Sequence, residues 1–372
     1  RDRRPPRTNP AWGGLEHNDF GTDEFIDFCR EIGTDPLVTV NTGFGDAYTA
    51  AQWVEYCNGS TKTIGGSWRA KNGHRKAYDV KTWCVGNEMW GNWQLGFMKL
   101  DQYVRKHNWI AEEMLKVDPK LMLVGSGDMG DPESKEFGKS WSKGLLERSS
   151  DHMDMISEHF YDGRLPWNKN ERFPLEKSVV QMAENIRTKA AGHRKMQAKM
   201  KHLKGKLVPI AMDEWNYWHR EYTFGELGCE YDLADGLGIA AGLHEFFRQT
   251  DLIHIATYAQ TVNVIGAIKT SRTAAEMEST GLVLQVYRKR YGTIPVKISG
   301  EFASIDVEAA LTADKKFLTI GVVNPTAGAI KLEVGTSFTK LGMAKAYIVT
   351  GAAETSKNSP GKPRQVDIVE LS

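Results

Sequence analysis

Two glutamates in the sequence follow apolar runs and are themselves followed by aromatic residues. Glu88 lies in "TWCVGNEMWGNWQ" (82 to 94) and Glu214 lies in "AMDEWNYW" (211 to 218). Hydrolysis of a glycosidic bond needs two such carboxyl groups, because one must protonate the leaving oxygen while the other stays ionised. Aromatic rings beside them offer flat surfaces for a sugar ring. The two motifs therefore favour glycosidic chemistry as the working hypothesis.

Each glutamate on its own has a simpler interpretation. A carboxylate just after a strand often caps the helix that follows, where it stabilises free backbone N–H groups. Two such carboxylates after separate strands, both beside tryptophan, fit that explanation less well. The pair, rather than either residue alone, favours catalysis.

Sequence motifs for other chemistries give less support. Neither a GxxxxGK[ST] phosphate loop nor a GxSxG nucleophile turn occurs, and the glycines of "GSGDMGD" (125 to 131) are interpreted as a βα loop. His159 and Asp213 are residue types that bind metals, but no third ligand accompanies them at helical spacing. We therefore predict no metal site, and expect both to be hydrogen-bond partners of the reacting groups.

Apolar runs alternate with amphipathic stretches from residue 20 to about residue 290, which is typical of βα units around a parallel sheet. Five helices are predicted, near residues 22–33, 50–59, 100–117, 177–199 and 232–250. Six strands are predicted, each apolar enough to be covered on both faces, at residues 36–41, 81–87, 120–126, 153–159, 207–213 and 253–260.

In such an architecture the active site forms where the carboxyl ends of the strands meet. Polar residues at the predicted strand ends are therefore the candidate site residues. They are Asn41, Asn87, Glu88, Ser126, Asp128, Glu158, His159, Tyr161, Asp213, Glu214, Gln260 and Asn263.

The pattern changes near residue 293. Residues 294–372 hold short alternating runs separated by Gly, Pro, Asn and Thr, which indicate an antiparallel β-sandwich. The sequence thus predicts a catalytic βα-barrel domain over residues 1–293 and a β-sandwich domain over residues 294–372.

Composition and charge narrow the choice of partner. Lys and Arg number 48 against 47 Asp and Glu, a formal charge of +1, so no net charge attracts nucleic acid or an anionic membrane. No run approaches the roughly 18 apolar residues of a membrane span. A neutral carbohydrate fits better. The four cysteines lack CxxC spacing and are expected to be buried free thiols.

No apolar segment follows the basic residues of the opening "RDRRPPRTNPAWGG". We therefore expect a cytoplasmic location, with secretion as the alternative if a signal peptide lies upstream of Arg1.

Four motifs resemble those of the α-L-arabinofuranosidases of glycoside hydrolase family 51, a retaining family of clan A. They are "WCVGNEMWGNWQLG", "SEHFYDG", "AMDEWNYW" and "YAQTVNVIGAI", in the family's order. The resemblance implies a (β/α)8 barrel with Glu88 as general acid/base after the fourth strand and Glu214 as nucleophile after the seventh. It further implies double displacement, two carboxyl groups about 5 to 5.5 Å apart, and no cofactor.

The same resemblance assigns the remaining site residues. Asn87 would bond the sugar 2-hydroxyl, and Tyr161 would hold the nucleophile. Trp218 and Gln260 would line the pocket for the terminal sugar, and Asn41 would support that pocket. A homo-oligomer is implied too, since hexamers are common in this family.

One departure from the family concerns the barrel strands. Six are predicted where a closed (β/α)8 barrel has eight, and the two missing ones are those that come first in the family. We therefore expect an N-terminally incomplete barrel, with activity in the isolated chain left open.

Three hypotheses follow from the sequence. The first is release of terminal α-L-arabinofuranosyl units from arabinan, arabinoxylan or their oligosaccharides. The second keeps the fold and both glutamates but attacks a β-glucan or xylan backbone. The third is a carbohydrate-binding remnant without turnover.

Overall fold

The structure is a computed structural model that describes residues 4–130, 141–163, 173–225, 227–300, 302, 304–326, 328–336, 342 and 344–371. Its strands are β1 (Arg7–Thr8), β2 (Leu15–Glu16), β3 (Leu37–Val40), β4 (Thr82–Val85), β5 (Met122–Gly125), β6 (Met155–Asp162), β7 (Ile210–Tyr217), β8 (Ile253–Tyr258), β9 (Ile268–Thr270), β10 (Ala275–Met277), β11 (Ile294–Pro295), β12 (Asp306–Leu311), β13 (Leu318–Val323), β14 (Ala346–Gly351) and β15 (Val366–Leu371).

Eight α-helices occur in the described part of the chain, and five of them were predicted from the sequence. The helices are α1 (Thr22–Glu31), α2 (Ala47–Asn58), α3 (Ile64–Lys71), α4 (Leu100–Val117), α5 (Trp141–Ser149), α6 (Leu175–Gln197), α7 (Leu233–Arg248) and α8 (Ser279–Arg290). None of them is long and apolar enough to cross a membrane.

Strands β3 to β8 are the six predicted strands, and they form one sheet in chain order. Parallel pairing sets Val40 beside Val85 and Val85 beside Gly125. Among the described residues, β3 and β8 are the edges of this sheet. The predicted incomplete barrel is therefore confirmed as an open parallel half-barrel of six strands.

Close packing divides the chain into two compact units. The first comprises Arg1–Glu158 and Gly192–Ala211, and the second comprises His159–Ala191 and Met212–Ser372. The predicted domain boundary near residue 293 stays a prediction.

In the first unit, the core lies where helices pack on β3 and β4. Trp83 of β4 is fully buried, and its ring meets Trp53 of α2 edge-on with the centroids 5.9 Å apart. Such rings remove about 150 to 250 Å² each from water, which makes them dominant contributors to a core. The strand ends that lead to Asn41 and Asn87 are thus held by buried aromatic packing.

A tyrosine of α4 joins the ends of β4 and β5. The Tyr103 hydroxyl donates to the Val85 carbonyl at 2.6 Å and accepts from the Ser126 amide at 2.7 Å. Its ring stacks on Trp141, and the phenol is fully buried. One hydroxyl therefore satisfies two backbone groups at neighbouring strand ends.

In the second unit, β7 packs on α7 through alternate side chains. Trp215 is buried and meets Phe246 of α7 edge-on at 4.8 Å. A Cβ at Gly238 of α7 would collide with the Tyr217 hydroxyl, and one at Gly242 would press on the Trp215 ring at 3.1 Å. The two glycines therefore leave the space that these aromatic side chains fill.

The C-terminal part of the second unit consists of antiparallel sheets, as predicted. Strands β11, β12 and β13 form one sheet, and β14 pairs with β15. Asp306 of β12 bonds His244 and Arg248 of α7. Burial raises the pKa of Asp306, but these hydrogen bonds outweigh it and lower the pKa to about 2. The carboxylate is therefore ionised at neutral pH and fastens β12 to α7.

Asp162, the last residue of β6, is buried among neutral partners. Its Oδ1 accepts from Asn185 of α6 at 2.7 Å and from Gln181 at 3.3 Å. Burial raises the pKa of the Asp162 carboxyl to about 6, although both amides act in the opposite direction. The folded state therefore holds a proton here more tightly than the unfolded chain does.

The four cysteines, Cys29, Cys57, Cys84 and Cys229, are buried free thiols. That part of the sequence prediction is confirmed.

We predict that Tyr103→Phe lowers the free energy of unfolding by about 1 to 3 kcal/mol, because a buried carbonyl and a buried amide each lose a partner. Denaturation in guanidinium chloride measures the change. The control is Tyr48→Phe, whose parent side chain is 67% exposed, and it should stay within about 0.5 kcal/mol of wild type. Equal stability of both variants would contradict the bridging role.

We also predict that Asp162 gives unfolding a specific pH dependence. Its pKa rises from about 3.9 in the unfolded chain to about 6 on folding. The folded state binds the extra proton between these values, so the free energy of unfolding falls by roughly 3 kcal/mol as pH rises from about 4 to 6. Asp162→Asn should flatten this slope, whereas the exposed control Asp151→Asn should not. The same slope in all three proteins would refute the assignment.

Candidate active site

Strand β7 presents Glu214 because its side chains alternate between two faces. Trp215 and Tyr217 occupy the face that packs on α7, so Glu214 lies on the other face. The Glu214 side chain keeps 29% of its surface exposed. Glu214 lies inside β7 rather than after it, since the strand runs to Tyr217 where the sequence predicted an end at residue 213.

Two alternate residues of β6 contact the Glu214 carboxylate. The Tyr161 hydroxyl donates to Glu214 Oε2 at 2.6 Å. His159 Nδ1 lies 3.6 Å from the same oxygen. His159 and Tyr161 are two residues apart in the strand, so their side chains share a face. A hydrogen bond to the ionised form of a carboxylate favours that form.

The imidazole of His159 lies between two carboxylates. Its Nε2 is 3.1 Å from Asp213 Oδ1, and both side chains are at least nine-tenths buried. His159 therefore lies beside both Asp213 and Glu214. The predicted role of His159 and Asp213 as hydrogen-bond partners of the reacting groups stays a prediction.

Trp218 supports Tyr161 from the other side. The two rings meet edge-on with the centroids 5.3 Å apart. The Trp218 indole donates to the Leu227 carbonyl at 3.0 Å, and its amide donates to the Asp162 carbonyl at 2.7 Å. The last bond extends pairing between β6 and β7, which explains why both strands run beyond their predicted ends.

Gln260 lies just after β8 and is exposed. The peptide bond between Ala259 and Gln260 is cis. The Gln260 carbonyl accepts from the Ala267 amide at 3.0 Å, and its own amide donates to the Ile265 carbonyl at 3.4 Å. The backbone of Gln260 is therefore fixed within a tight loop, and its role towards a sugar stays a prediction.

In the first unit, Glu88 occupies a tight turn after β4. Gly86 has φ +90° and Glu88 has φ +45°, both in the left-handed region that non-glycine residues seldom adopt. A Cβ at Gly86 would press on Met89 and Thr42. The turn therefore requires glycine at residue 86 and sets the direction of the half-buried Glu88 side chain.

Two residues of the same loop hold the Glu88 carboxylate. The Trp93 indole donates to Glu88 Oε2 at 2.7 Å, and the Gln94 amide donates to the same oxygen at 3.0 Å. Trp93 also meets Trp90 edge-on at 5.0 Å. Sequence reasoning missed both donors. The signal was the aromatic and amide side chains five and six residues after the glutamate in "NEMWGNWQ".

The two asparagines of the first unit differ in their surroundings. Asn41 is exposed, and its Oδ1 accepts from the amides of Phe44 and Gly45 at 3.0 and 3.3 Å, so the side chain shapes the loop after β3. Asn87 is half-buried beside Glu88. Their predicted contacts with substrate stay predictions.

A strand carboxylate is not reactive by position alone, as Glu158 shows. It precedes His159 in β6 but is fully buried. His193 lies 2.8 Å from Oε1, Ser142 donates to the same oxygen at 2.9 Å, and the Met129 amide donates to Oε2 at 3.1 Å. This carboxylate organises the protein interior, whereas Glu88 and Glu214 both reach solvent.

The two carboxylates differ in the donors they receive. Glu214 accepts a short bond from a phenol, and Glu88 accepts bonds from an indole and an amide. None of these three donors is a fixed cation. These donors hold each carboxylate in place, and the catalytic roles predicted for Glu214 and Glu88 stay predictions.

Family profiles match both parts of the chain. The profile of the alpha-L-arabinofuranosidase 1 domain matches residues 1–174, and that of the alpha-L-arabinofuranosidase C-terminal domain matches residues 213–372. Among curated proteins, probable alpha-L-arabinofuranosidase C of Aspergillus flavus is 31% identical over 100% of this chain and 77% of its own length.

Solved structures agree with the sequence comparison. The alpha-L-arabinofuranosidase of Thermotoga maritima, in an arabinose complex, matches with a TM-score of 0.83 and 31% identity. The family 51 enzyme of Thermotoga petrophila RKU-1 matches with a TM-score of 0.82 and 31% identity. Each match covers 100% of this chain and 78% of the other. From its motifs, fold and relatives together, the chain belongs to the α-L-arabinofuranosidases of glycoside hydrolase family 51.

Proposed function

We propose that the chain is a retaining glycoside hydrolase that releases terminal α-L-arabinofuranosyl residues from arabinan- or arabinoxylan-type substrates. The observation that carries this proposal is the 2.6 Å hydrogen bond from the Tyr161 hydroxyl to Glu214 Oε2. This bond orients a partly exposed carboxylate, which a nucleophile requires. The names of the family 51 relatives and the arabinose bound to the Thermotoga maritima protein support the choice of sugar.

In the first step, the Glu214 carboxylate attacks the anomeric carbon of the arabinofuranosyl unit. The glycosidic C–O bond breaks, and Glu88 gives its proton to the departing oxygen. Trp93 and Gln94 both donate to Oε2 of Glu88, which assigns the transferable proton to Oε1. The product of this step is a glycosyl ester on Glu214.

In the second step, water replaces the leaving group. Glu88, now ionised, removes a proton from the water molecule, which attacks the same anomeric carbon and releases Glu214. Two inversions give arabinose with the configuration of the substrate. Both steps of this reaction need a carboxylate nucleophile and an acid/base, the roles that we assign to Glu214 and Glu88.

The remaining predicted residues would bind the terminal sugar. We assign Asn87 to the 2-hydroxyl group, because an amide can donate and accept beside an acid/base that changes its protonation state. Trp218 and Gln260 are assigned to the pocket for the terminal sugar. Asn41 is assigned to the support of that pocket, through the loop that its side chain shapes.

Purified chain separates this proposal from the two alternatives. Hydrolysis of 4-nitrophenyl α-L-arabinofuranoside without attack on carboxymethyl-cellulose or xylan supports the arabinofuranosidase. The reverse preference identifies an endo-acting glucanase or xylanase. Oligosaccharide binding with no turnover of any substrate would identify a non-catalytic binding protein.

We predict different losses for the two glutamates. Glu214→Ala should lower kcat by about 10³-fold or more on every substrate, because no other group forms the ester. Glu88→Ala should cost about 10²- to 10⁴-fold on natural linkages and far less on aryl arabinofuranosides with good leaving groups, which need no proton. Added azide should restore turnover of Glu88→Ala and give a retained azide product.

The matched control for both variants is Glu333→Ala, whose parent side chain is 84% exposed on the C-terminal part of the chain. It should keep wild-type kinetics. If the leaving-group dependence follows Glu214→Ala instead of Glu88→Ala, the two roles must be exchanged.

We further predict that Tyr161→Phe moves the acidic limb of the kcat/KM profile to higher pH. The ionised form of Glu214 loses its donor, while His159 and Asp213 remain beside it. A loss of about 10- to 100-fold in kcat is expected with little change in stability. Titration of kcat/KM between pH 4 and 8 measures the shift, and an unmoved limb would argue against Tyr161 as the donor that activates the nucleophile.

A further inference from the structure

Three donor groups lie within hydrogen-bond distance of the Ile265 carbonyl. The donors are the Asn216 side-chain amide at 2.8 Å, the Tyr231 hydroxyl at 3.1 Å and the Gln260 backbone amide at 3.4 Å. Asn216 and Tyr231 are both fully buried. Two of these donors belong to side chains that are distant in sequence. Together the three donors fix the position of the Ile265 carbonyl in the loop after β8.

The orientation of the Asn216 amide follows from its partners. Besides Ile265, its Nδ2 lies within donor distance of the Ala259 carbonyl, at 2.6 Å, and of the Tyr231 hydroxyl, at 2.8 Å, so its two hydrogens are shared among three acceptors. Carbonyl oxygens only accept, so the NH₂ group must face them. Its Oδ1 accepts from the Tyr217 amide at 2.7 Å. The amide therefore links the backbone of β7 to the backbone on both sides of Gln260.

Tyr231 completes this link. Its hydroxyl accepts from Asn216 and lies within donor distance of the Tyr217 carbonyl, at 2.7 Å, and of the Ile265 carbonyl, at 3.1 Å. Burial raises the pKa of the Tyr231 phenol well above its ordinary value, so the hydroxyl keeps its proton at neutral pH. The proton is therefore always present for donation.

These bonds surround the backbone of one residue. The Ala259 carbonyl before Gln260 is held by Asn216, the Gln260 amide points at the carbonyl that Asn216 and Tyr231 hold, and the Gln260 carbonyl accepts from Ala267. With its backbone fixed in this way, Gln260 projects an exposed side chain from a defined point.

We infer that Asn216 and Tyr231 are positioning residues that set Gln260 against the strand of the nucleophile. Asn216 follows Glu214 by two positions and therefore belongs to the same face of β7. The buried Asn216 amide thus connects the backbone around Gln260 to the strand that carries Glu214. The kinetic consequence of this inference rests on the proposed function, whereas its structural consequence does not.

Hydrogen exchange measured by mass spectrometry tests the structural consequence. In Asn216→Ala and in the milder Tyr231→Phe, the backbone amides of residues 259–267 should exchange about tenfold faster than in wild type, because buried carbonyls lose their donors. The matched control is Asn358→Ala. Asn358 is also fully buried and donates to two carbonyls, those of Met277 and Val366, so a general loss of stability appears there as well. Unchanged exchange of residues 259–267 in Tyr231→Phe would overturn the inference.

A double-mutant cycle, with 4-nitrophenyl α-L-arabinofuranoside as the substrate, tests whether Tyr231 affects catalysis through Gln260. Tyr231→Phe and Gln260→Ala should each lower kcat/KM by about 10- to 100-fold. If Tyr231 acts through Gln260, adding Tyr231→Phe to Gln260→Ala should cost less than about twofold more. Independent, additive losses would show that Tyr231 does not work through Gln260 and would overturn the positioning role.

The two readouts separate this inference from the proposed function. A wild-type chain without turnover would defeat the proposed function, and exchange of residues 259–267 would still decide whether Asn216 and Tyr231 hold the loop. An active chain with additive losses would defeat the positioning role alone.

Discussion

The alternation of side chains along Ile210–Tyr217 is the constraint on which the candidate site depends. Trp215 and Tyr217 enter the interface with α7, where glycines leave room for them, and this packing fixes the orientation of the strand. Glu214 and Asn216 are then directed to the opposite face. Displacing the strand by one residue would bury Glu214 against α7 and expose two aromatic rings. Glu214 is thus oriented by the hydrophobic effect acting on its neighbours.

Polar contacts add to what packing fixes. The Tyr161 hydroxyl donates to Glu214, and the His159 ring lies between the carboxylates of Glu214 and Asp213, 3.6 and 3.1 Å away. The Glu88 side chain is positioned differently. It lies in a left-handed turn after β4, and Trp93 and Gln94 of the same loop donate hydrogen bonds to its carboxylate. Glu214 is therefore placed by strands and their neighbours, and Glu88 by one short loop.

Much of this arrangement could be predicted from the sequence. Apolar runs gave all six sheet strands, the two motifs around Glu88 and Glu214 gave both carboxylates, and four motifs in order gave the family. The extension of β6 and β7 could not be predicted, because it depends on the bond between the Trp218 amide and the Asp162 carbonyl. Sequence reasoning also overlooked Asn216, since a buried amide is recognised only by the carbonyls that surround it. Local sequence patterns reveal the periodicity of helices and strands, whereas the hydrogen-bond partners of Asn216 and of the Asp162 carbonyl are distant from them in the chain.

The most direct test of the account is a covalent adduct on the nucleophile. A 2-deoxy-2-fluoro arabinofuranoside with a dinitrophenyl leaving group should form the glycosyl ester quickly and hydrolyse it slowly, because fluorine destabilises the oxocarbenium-like transition states and the good leaving group speeds only the first step. Mass spectrometry of the digested protein should find one 2-deoxy-2-fluoroarabinosyl increment on the peptide that contains Glu214. An increment on a different residue, or turnover with no adduct and an inverted product, would contradict the proposed mechanism.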